Sequence, residues 1–385
     1  MLNKLRFVII ECKLCKNFWL FLQVLPQLPY SFDLETVETL KLVAGCCDAL
    51  GELRGIAESM PSETVLISTL ALQEAKESSE IENIITTNDD LYKGSLFRDS
   101  KLVSPAAKEV NDYSVALIQG FLEVRRNKLI RLSTVLQIQE IIEKNDAGIR
   151  SQAGTVIRSQ DTGETVYAPP QDRKEIDLLL ANLLDFINDH ELSDLHPIIK
   201  MALIHYQFEK IHPFYDGNGR TGRIIMMLYL VSQGVLNLPV LYLSRYITRT
   251  KQTYYQLLRE EFCEETLTRW VHYFLIGIQA TATDALDRIY NIKTAMMDCK
   301  QELRSSLPRI YSQELLNNLF AYPYTKIDFV QSAIGVSRPT ASKYLNEIVG
   351  LGLLSKRKIG NSNYYINDEL FNILTAESEA MQSYR

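Results

Sequence analysis

A base, a carboxylate, a glycine turn and two arginines lie within residues 212–223, which read HPFYDGNGRTGR. The glycine turn at residues 217–219 can aim consecutive backbone N–H groups at one point, and a helix that starts there would attract an anion. Arg220 and Arg223 are three positions apart, so on a helix they share a face, and planar guanidinium groups suit phosphate oxygens. These residue types at this spacing predict a site that binds a phosphate chain.

Two side chains before the turn are suited to act on such a chain. Asp216 could bind Mg²⁺, which proteins usually hold through one or two carboxylates together with substrate phosphates. His212, as a neutral imidazole, could take a proton from an attacking hydroxyl, and base catalysis of this kind is typically worth about 10²- to 10⁴-fold in rate. The alternative is a plain glycine-rich loop with an N-capping Asn218 and solvated arginines, which two or three of these residues alone would favour.

The flanking segments must position this loop, and both have helical periodicity. Apolar residues recur at steps of three and four at Ile198, Ile199, Ala202, Leu203 and Tyr206, and again at Ile224, Ile225, Leu228 and Val231. The sequence therefore predicts a helix, a tight anion-binding loop and a second helix, with His212 at the end of the first helix. We expect His205, on the first helix, to lie in the core.

Residues 212–223 resemble the Fic motif, HxFx(D/E)GNGRxxR, and every fixed position is present. The resemblance implies the mainly α-helical Fido fold and a protein adenylyltransferase, which transfers AMP from ATP to a Ser, Thr or Tyr hydroxyl of a target protein and releases pyrophosphate. Self-modification and a homodimer are also expected from the family. A family member with another donor, such as a phosphocholine or UMP carrier, is the nearest enzymatic alternative, but the intact GNGRxxR favours ATP.

The same resemblance implies a role for each matching position. His212 would be the base, and Asp216 would bind Mg²⁺ between the α- and β-phosphates. Arg220 would contact the β-phosphate region and Arg223 the γ-phosphate, while Phe214 would pack inward. The anion hole would be formed by Gly217, Asn218 and Gly219.

A second motif lies upstream, where residues 78–83 read SSEIEN and fit the Fic inhibitory pattern (S/T)xxxE(G/N). Its fixed positions are Ser78, Glu82 and Asn83, on a predicted helix that precedes the core. A carboxylate of Glu82 paired with Arg223 would occupy the guanidinium that the γ-phosphate needs. The alternative is that Glu82 is one more acid on the solvated face of a charged helix. Some Fic proteins also use this glutamate to remove AMP, which is a further possible activity here.

Between the two motifs, residues 155–170 predict a β-hairpin with its turn at residues 161–163. In Fic proteins a hairpin called the flap aligns the target by backbone pairing, so the flap residues would be Thr165, Val166 and Tyr167. Strand addition of this kind is nearly blind to side chains. Downstream, Tyr254 matches a family tyrosine beside the adenine, and core packing is an equal alternative for it.

The C-terminal part of the chain predicts a winged helix. Residues 326–334 and 338–349 have helix-turn-helix spacing, and residues 353–366 predict a two-stranded wing. Residues 325–360 hold six basic and two acidic side chains, a local charge of +4, whereas the whole chain is −6. DNA binding through this region and protein interaction both stay open.

Composition sets the remaining bounds. With 385 residues, 46% of them hydrophobic, two or three domains with sizeable cores are expected. Six cysteines form no disulfide framework, charges interrupt the apolar N-terminus, and we expect a cytoplasmic protein without a membrane segment. The expected divisions are an unassigned extension at 1–27, an N-terminal helical region with the inhibitory helix at 28–110, a Fic core at 111–285 and a winged helix at 305–375.

Two functions from different classes follow from these observations. One is an AMP transferase with a regulatory or target-presenting winged helix. The other is a DNA-binding regulator whose Fic core senses nucleotide. A pure sensor needs no base beside the anion hole, so the intact His212 favours the transferase.

Overall fold

The computed structural model describes residues 25–96, 103–158, 165–359, 362–377 and 381. The helices in this part of the chain are α1 Val37–Glu58, α2 Glu63–Ile81, α3 Asn88–Leu96, α4 Pro105–Asn127, α5 Leu132–Glu143, α6 Arg173–Asn188, α7 Pro197–Ile211, α8 Asn218–Ser232, α9 Ser244–Arg249, α10 Lys251–Arg259, α11 Glu264–Ser306, α12 Gln313–Ala321, α13 Ile327–Ile334, α14 Arg338–Gly350 and α15 Asp368–Thr375. The strands are β1 Ile157–Arg158, β2 Thr165–Tyr167, β3 Tyr324–Thr325, β4 Ser355–Ile359 and β5 Ser362–Ile366. The prediction of a mainly α-helical fold is confirmed.

Helices α7 and α8 are packed together at the centre of the molecule and are buried over most of their length. Pro197 occupies the first turn of α7, where its missing N–H is not needed. Around this pair, α4 and α5 pack on α8, α6 and α11 pack on α7, and α2 packs on α4 and α9. The contact between α11 and α7 includes a hydrogen bond, in which Trp270 of α11 donates its indole N–H to the carbonyl of Ala202 of α7 at 2.7 Å.

The loop between α7 and α8 has two residues in the left-handed region of backbone space. His212 ends α7 with φ of 48°, and Gly217 precedes α8 with φ of 80°. The Asn218 side chain closes the loop, because its Oδ1 accepts from the N–H of Phe214 at 2.8 Å and its Nδ2 donates to the carbonyl of Phe214 at 2.9 Å. The predicted helix, tight loop and helix are therefore present, with His212 directly after α7.

The C-terminal elements α12 to α15 contain the predicted helix-turn-helix, with Gly335 in the turn at φ of 67°. Strands β4 and β5 pair antiparallel at the position of the predicted wing, and β3 adds a third strand on β5 that the sequence did not predict. These elements pack on α2, α3 and α11. Ser68 of α2 donates to the carbonyl of Ala321 at 2.8 Å, and the Tyr324 ring stacks on Tyr92 with centroids 6.2 Å apart.

The predicted hairpin is present as β1 and β2, paired antiparallel with Ile157 opposite Tyr167. Its turn at residues 161–163 lies outside the described residues, as does most of the N-terminal extension at 1–27. Within the described residues, no helix is both long enough and apolar enough to cross a membrane.

Candidate functional site

A cavity of about 640 Å³ opens at the loop between α7 and α8. It is lined by Glu82, Ile84, Glu109, Asp112, Ile142, Glu143, Lys144, His212, Tyr215, Asp216, Gly217, Asn218, Gly219 and Arg220. The structure thus brings the predicted base, the predicted metal ligand and the glycine turn to one cavity, together with Glu82 from α2.

His212 is held by backbone contacts on both sides. Its N–H donates to the carbonyl of Phe208 at 3.0 Å, which ends α7, and its own carbonyl accepts from Arg150 Nε at 2.7 Å. Burial, followed by the nearby Arg150 guanidinium, lowers the pKa of His212 to about 4, while Glu82 and Asp216 act in the opposite direction. The imidazole is therefore neutral near pH 7 and able to accept a proton.

Arg150 is a positioning residue that the sequence did not reveal. It is fully buried, and its Nη2 donates to the carbonyl of Pro170 at 2.5 Å, while its N–H donates to the carbonyl of Pro213 at 2.9 Å. An isolated bridge between Ile149 and Phe214 continues this pairing. One guanidinium therefore ties the His212 loop to the segment that follows the hairpin. Its partners are backbone carbonyls, which every residue carries, so no sequence pattern marks them.

The glycines of the turn make room for carboxylates from other helices. A Cβ on Gly217 would lie 2.6 Å from Glu143 Oε1, and Gly217 also has the positive φ that glycine tolerates best. A Cβ on Gly219 would collide with Glu82 Oε1 and lie 2.9 Å from Arg223 Nη1. The turn at the N-terminus of α8 is therefore closely approached by two acids.

Arg223 is buried behind Glu82, at a position that does not line the cavity. Its Nη2 donates to Glu82 Oε1 at 2.8 Å and to the carbonyl of Ser78 at 3.0 Å, and its Nε donates to Ser78 Oγ at 2.8 Å. Asn83 follows α2 with φ of 62°, a conformation that Asn and Gly adopt more readily than other residues, and its Oδ1 accepts from Lys251 Nζ at 3.0 Å. The three fixed residues of the upstream motif therefore act at the end of α2, two on Arg223 and one on the helix terminus.

Arg220 is also buried and also meets an acid, though a different one. Its Nη2 donates to Glu143 Oε1 at 2.6 Å, and its Nη1 lies 3.7 Å from Glu109 Oε2. Burial raises the pKa of Glu143, against the lowering effect of Arg220. Glu143 was not singled out from the sequence, because it lies 77 residues from its partner and belongs to no motif.

Asp216 is exposed in the cavity, where its Oδ1 accepts from the N–H of Gly217 at 2.8 Å. Among the described residues, no group of three or more His, Cys, Asp or Glu side chains is arranged to hold a metal ion. A single exposed carboxylate beside the glycine turn nevertheless fits Mg²⁺, whose remaining ligands are commonly phosphate oxygens and water.

A second buried acid lies close to Arg223. Burial raises the pKa of Glu209 to about 8, the opposing effect coming from Arg223. Glu209 Oε1 is 4.0 Å from Nδ1 of His205, which is fully buried as expected and whose pKa burial lowers well below its usual value. Burial therefore favours the uncharged form of both groups, and Gly222 provides the space for them on α8.

Tyr254 and the described residues of the hairpin are not among the residues that line this cavity. Tyr254 is buried, its hydroxyl is 2.9 Å from Nε2 of His205, and its ring packs near Trp270. The structure therefore places Tyr254 in the core, within electrostatic reach of Arg223 and Glu82. Tyr167 donates its hydroxyl to the carbonyl of Lys210 at 2.9 Å, which attaches β2 to α7, while Thr165 and Val166 are described as backbone of β2.

Three family models match successive parts of the chain. The model described as "Fic/DOC family N-terminal" matches residues 40–122, and the model described as "Fic/DOC family" matches residues 129–230. A third, "Protein adenylyltransferase SoFic-like, C-terminal domain", matches residues 296–370. The three together extend over most of the described structure.

Curated relatives match over a short stretch. A protein named "Protein adenylyltransferase Fic" from Drosophila erecta is 40% identical over 65 residues, 17% of this chain and 13% of that protein. "Protein adenylyltransferase fic-1" from Caenorhabditis briggsae is 40% identical over 55 residues, 14% of this chain and 11% of that protein. The matched stretches thus cover about an eighth of the length of these relatives.

Solved structures with a similar fold extend much further. A Fic family protein from Desulfovibrio desulfuricans superimposes with a TM-score of 0.54 at 22% identity, over 89% of this chain and 98% of that chain. Fic-1 from C. elegans superimposes with a TM-score of 0.50 at 20% identity, over 66% and 73% of the two chains. These likenesses show the fold, and the matched family models show that the chain belongs to the Fic/DOC family.

Proposed function

We propose that this protein transfers AMP from ATP to a Ser, Thr or Tyr hydroxyl of a target protein and releases pyrophosphate. One observation carries the proposal: His212, Asp216 and the glycine turn line one cavity at the N-terminus of α8, and Glu82 lies between that cavity and Arg223. The adenylyltransferase names of the curated relatives support the same reaction class.

In the proposed reaction, the hydroxyl oxygen of the target attacks the α-phosphorus of ATP. A new bond forms between this oxygen and the α-phosphorus, the bond between the α-phosphorus and the bridging oxygen to the β-phosphate breaks, and pyrophosphate leaves. The hydroxyl proton passes to His212, which is neutral in the free protein. The negative charge of a bound triphosphate raises the pKa of an adjacent imidazole, so His212 becomes a stronger base once ATP is present.

Both backbone N–H groups and side chains of this protein would hold the phosphates. The backbone N–H groups of Asn218 and Gly219 lie in the first turn of α8, where the helix dipole favours negative charge, and the N–H of Gly217 would join them on leaving Asp216 Oδ1. Arg220 lines the same cavity and would contact the β-phosphate. Asp216 would hold Mg²⁺, which, when bound, neutralises phosphate charge.

Glu82 would restrain the reaction by holding Arg223. The Arg223 guanidinium has a carboxylate and two Ser78 acceptors on it, so the γ-phosphate cannot bind it until these contacts are exchanged. ATP that binds in the presence of the pair would lie in an unproductive pose. Under this proposal Glu82 is inhibitory, and its removal exposes a γ-phosphate site.

The target would be aligned by backbone pairing with the hairpin, whose β2 strand is attached to α7 next to His212. The C-terminal domain is proposed to contact protein partners. Two of its basic side chains are paired with acids, since Arg338 forms an ion pair with Asp328 and Lys343 lies 3.7 Å from Glu347. This local pairing lowers the charge available to DNA phosphates.

The reaction is tested with ATP labelled at the α- or the γ-phosphate, Mg²⁺ and a cell lysate. Glu82→Gly should place label on protein from the α position and none from the γ position, and self-labelling would be scored in the same samples. The double variant with His212→Ala should lose the label. Label from the γ position, or equal label without His212, would contradict AMP transfer.

A further inference from the structure

The two arginines of the α8 turn meet their carboxylates in different ways. Arg223 has its Nε and Nη2 bonded to residues at the end of α2. Arg220 has only Nη2 bonded, to Glu143. Its Nε and Nη1 are buried and have no hydrogen-bond partner among the described residues. The first guanidinium is therefore occupied, whereas the second has one bonded edge and one edge that is buried and unpaired.

An unpaired guanidinium edge in a buried position indicates a ligand. Buried N–H groups without acceptors are costly, and they are rare except where a ligand, ion or water completes them. Glu109 Oε2, at 3.7 Å from Nη1, is beyond hydrogen-bond distance. Arg220 lines the cavity beside the anion-binding turn, so a small shift of its buried guanidinium toward an oxyanion in that cavity would supply the missing acceptors.

Glu143 is well placed to fix the orientation of Arg220. It is the last residue of α5, which packs on α8, and its side chain is 12% exposed. Its carboxylate also packs against Gly217, where a Cβ would lie 2.6 Å away. The Glu143 carboxylate contacts both the glycine turn and Arg220, and the helix that carries it is packed in place. Glu143 therefore restricts the rotamers of the long Arg220 side chain.

We propose that Glu143 is a positioning residue for nucleotide binding, which holds one edge of Arg220 so that the opposite edge meets the phosphates of a nucleoside di- or triphosphate. This inference rests on the proposed function, since it takes the cavity to be the nucleotide site. It gives Glu143 the opposite effect to Glu82: loss of Glu82 frees an arginine, whereas loss of Glu143 releases an arginine from its binding orientation.

The competing account is that Glu143 blocks Arg220 as Glu82 blocks Arg223. Electrostatics alone also favours that account, because removing a negative charge near a polyphosphate strengthens its binding. The two accounts therefore predict opposite signs for the same substitution.

The test is the affinity of the full-length protein for ADP and AMP by calorimetry, with Mg²⁺. Glu143→Ala should weaken ADP binding about tenfold, which corresponds to about 1.4 kcal/mol, and leave AMP binding within about twofold. Glu143→Gln keeps an acceptor without the charge and should give a smaller loss. The matched control is Glu140→Ala, one turn earlier on α5 and exposed, which should change neither affinity.

Unchanged or tighter ADP binding in both Glu143 variants would overturn the proposal. An equal loss of affinity for ADP and AMP would also overturn it, because such a loss indicates general damage to the site. Thermal unfolding shows whether each variant is folded, and Glu143→Gln carries the test if Glu143→Ala is not. In the Glu82→Gly background, KM for ATP should rise more than kcat falls. If the Glu143 variants lose affinity for ADP but not for AMP, and the protein transfers no AMP, the proposed function is refuted and this inference is supported.

Discussion

Replacing Glu82 with glycine should raise AMP transfer by an amount that the geometry allows us to calculate. The bond from Arg223 Nη2 to Glu82 measures 2.8 Å, with Arg223 buried and the Glu82 side chain 33% exposed. A hydrogen bond to a charged group is worth about 1.5–3 kcal/mol. Exposure of the acid to water reduces this to about 1–2 kcal/mol. Because 1.4 kcal/mol is a factor of ten, kcat/KM for ATP should rise about 5- to 30-fold.

The assay is initial-rate incorporation of α-labelled AMP at several ATP concentrations. Glu80→Gly is the control for removal of a nearby acid, since Glu80 lies two residues before Glu82, in the last turn of α2, and its loss leaves the Glu82–Arg223 pair in place. Ser78→Ala removes only the neutral hydrogen bond to Arg223 and should therefore give a smaller rise than Glu82→Gly. Equal rates for Glu82→Gly, Glu80→Gly and wild type would refute the assignment of Glu82 as inhibitory.

Three further predictions concern the residues around the turn. Arg150→Met removes a positive charge that lowers the pKa of His212, so that pKa should rise above about 4, as measured by NMR titration of the imidazole; no rise would contradict the role given to Arg150. Gly217→Ala should lower the free energy of unfolding by about 1–2 kcal/mol in denaturant melts, because φ is 80° and Glu143 fills the space; unchanged stability would contradict the observed turn. The pKa of Glu209 is raised to about 8, so its contribution to stability is present below its unfolded pKa and is lost as pH rises toward 8. The free energy of unfolding of wild type should therefore fall relative to Glu209→Gln between about pH 5 and 8, and parallel pH profiles would refute this.

The parts of the site that the sequence predicted are those determined within a short segment. The loop between α7 and α8 depends on Gly217 for a positive φ and on Asn218 for closing bonds to Phe214, all within five residues. The helix-turn-helix around Gly335 is equally local. Local periodicity and turn chemistry are sufficient for such elements.

The parts that were missed depend on contacts between distant segments. Arg150 reaches His212 across 62 residues, and Glu143 reaches Arg220 across 77 residues. Strand β3 is two residues long and forms only because β5 lies beside it. Tyr254 shows the same limit, since its sequence pattern suits adenine contact and core packing equally, and only the packing of α10 on α11 places it in the core.

The most direct test of AMP transfer is the stoichiometry of pyrophosphate release and AMP incorporation by Glu82→Gly, with and without His212→Ala. We predict one pyrophosphate released for each AMP placed on protein, and loss of both when His212 is replaced, while ADP binding measured by calorimetry is retained. Pyrophosphate release without protein-bound AMP, or transfer that continues without His212, would contradict the central claim that this cavity activates a protein hydroxyl for attack on ATP.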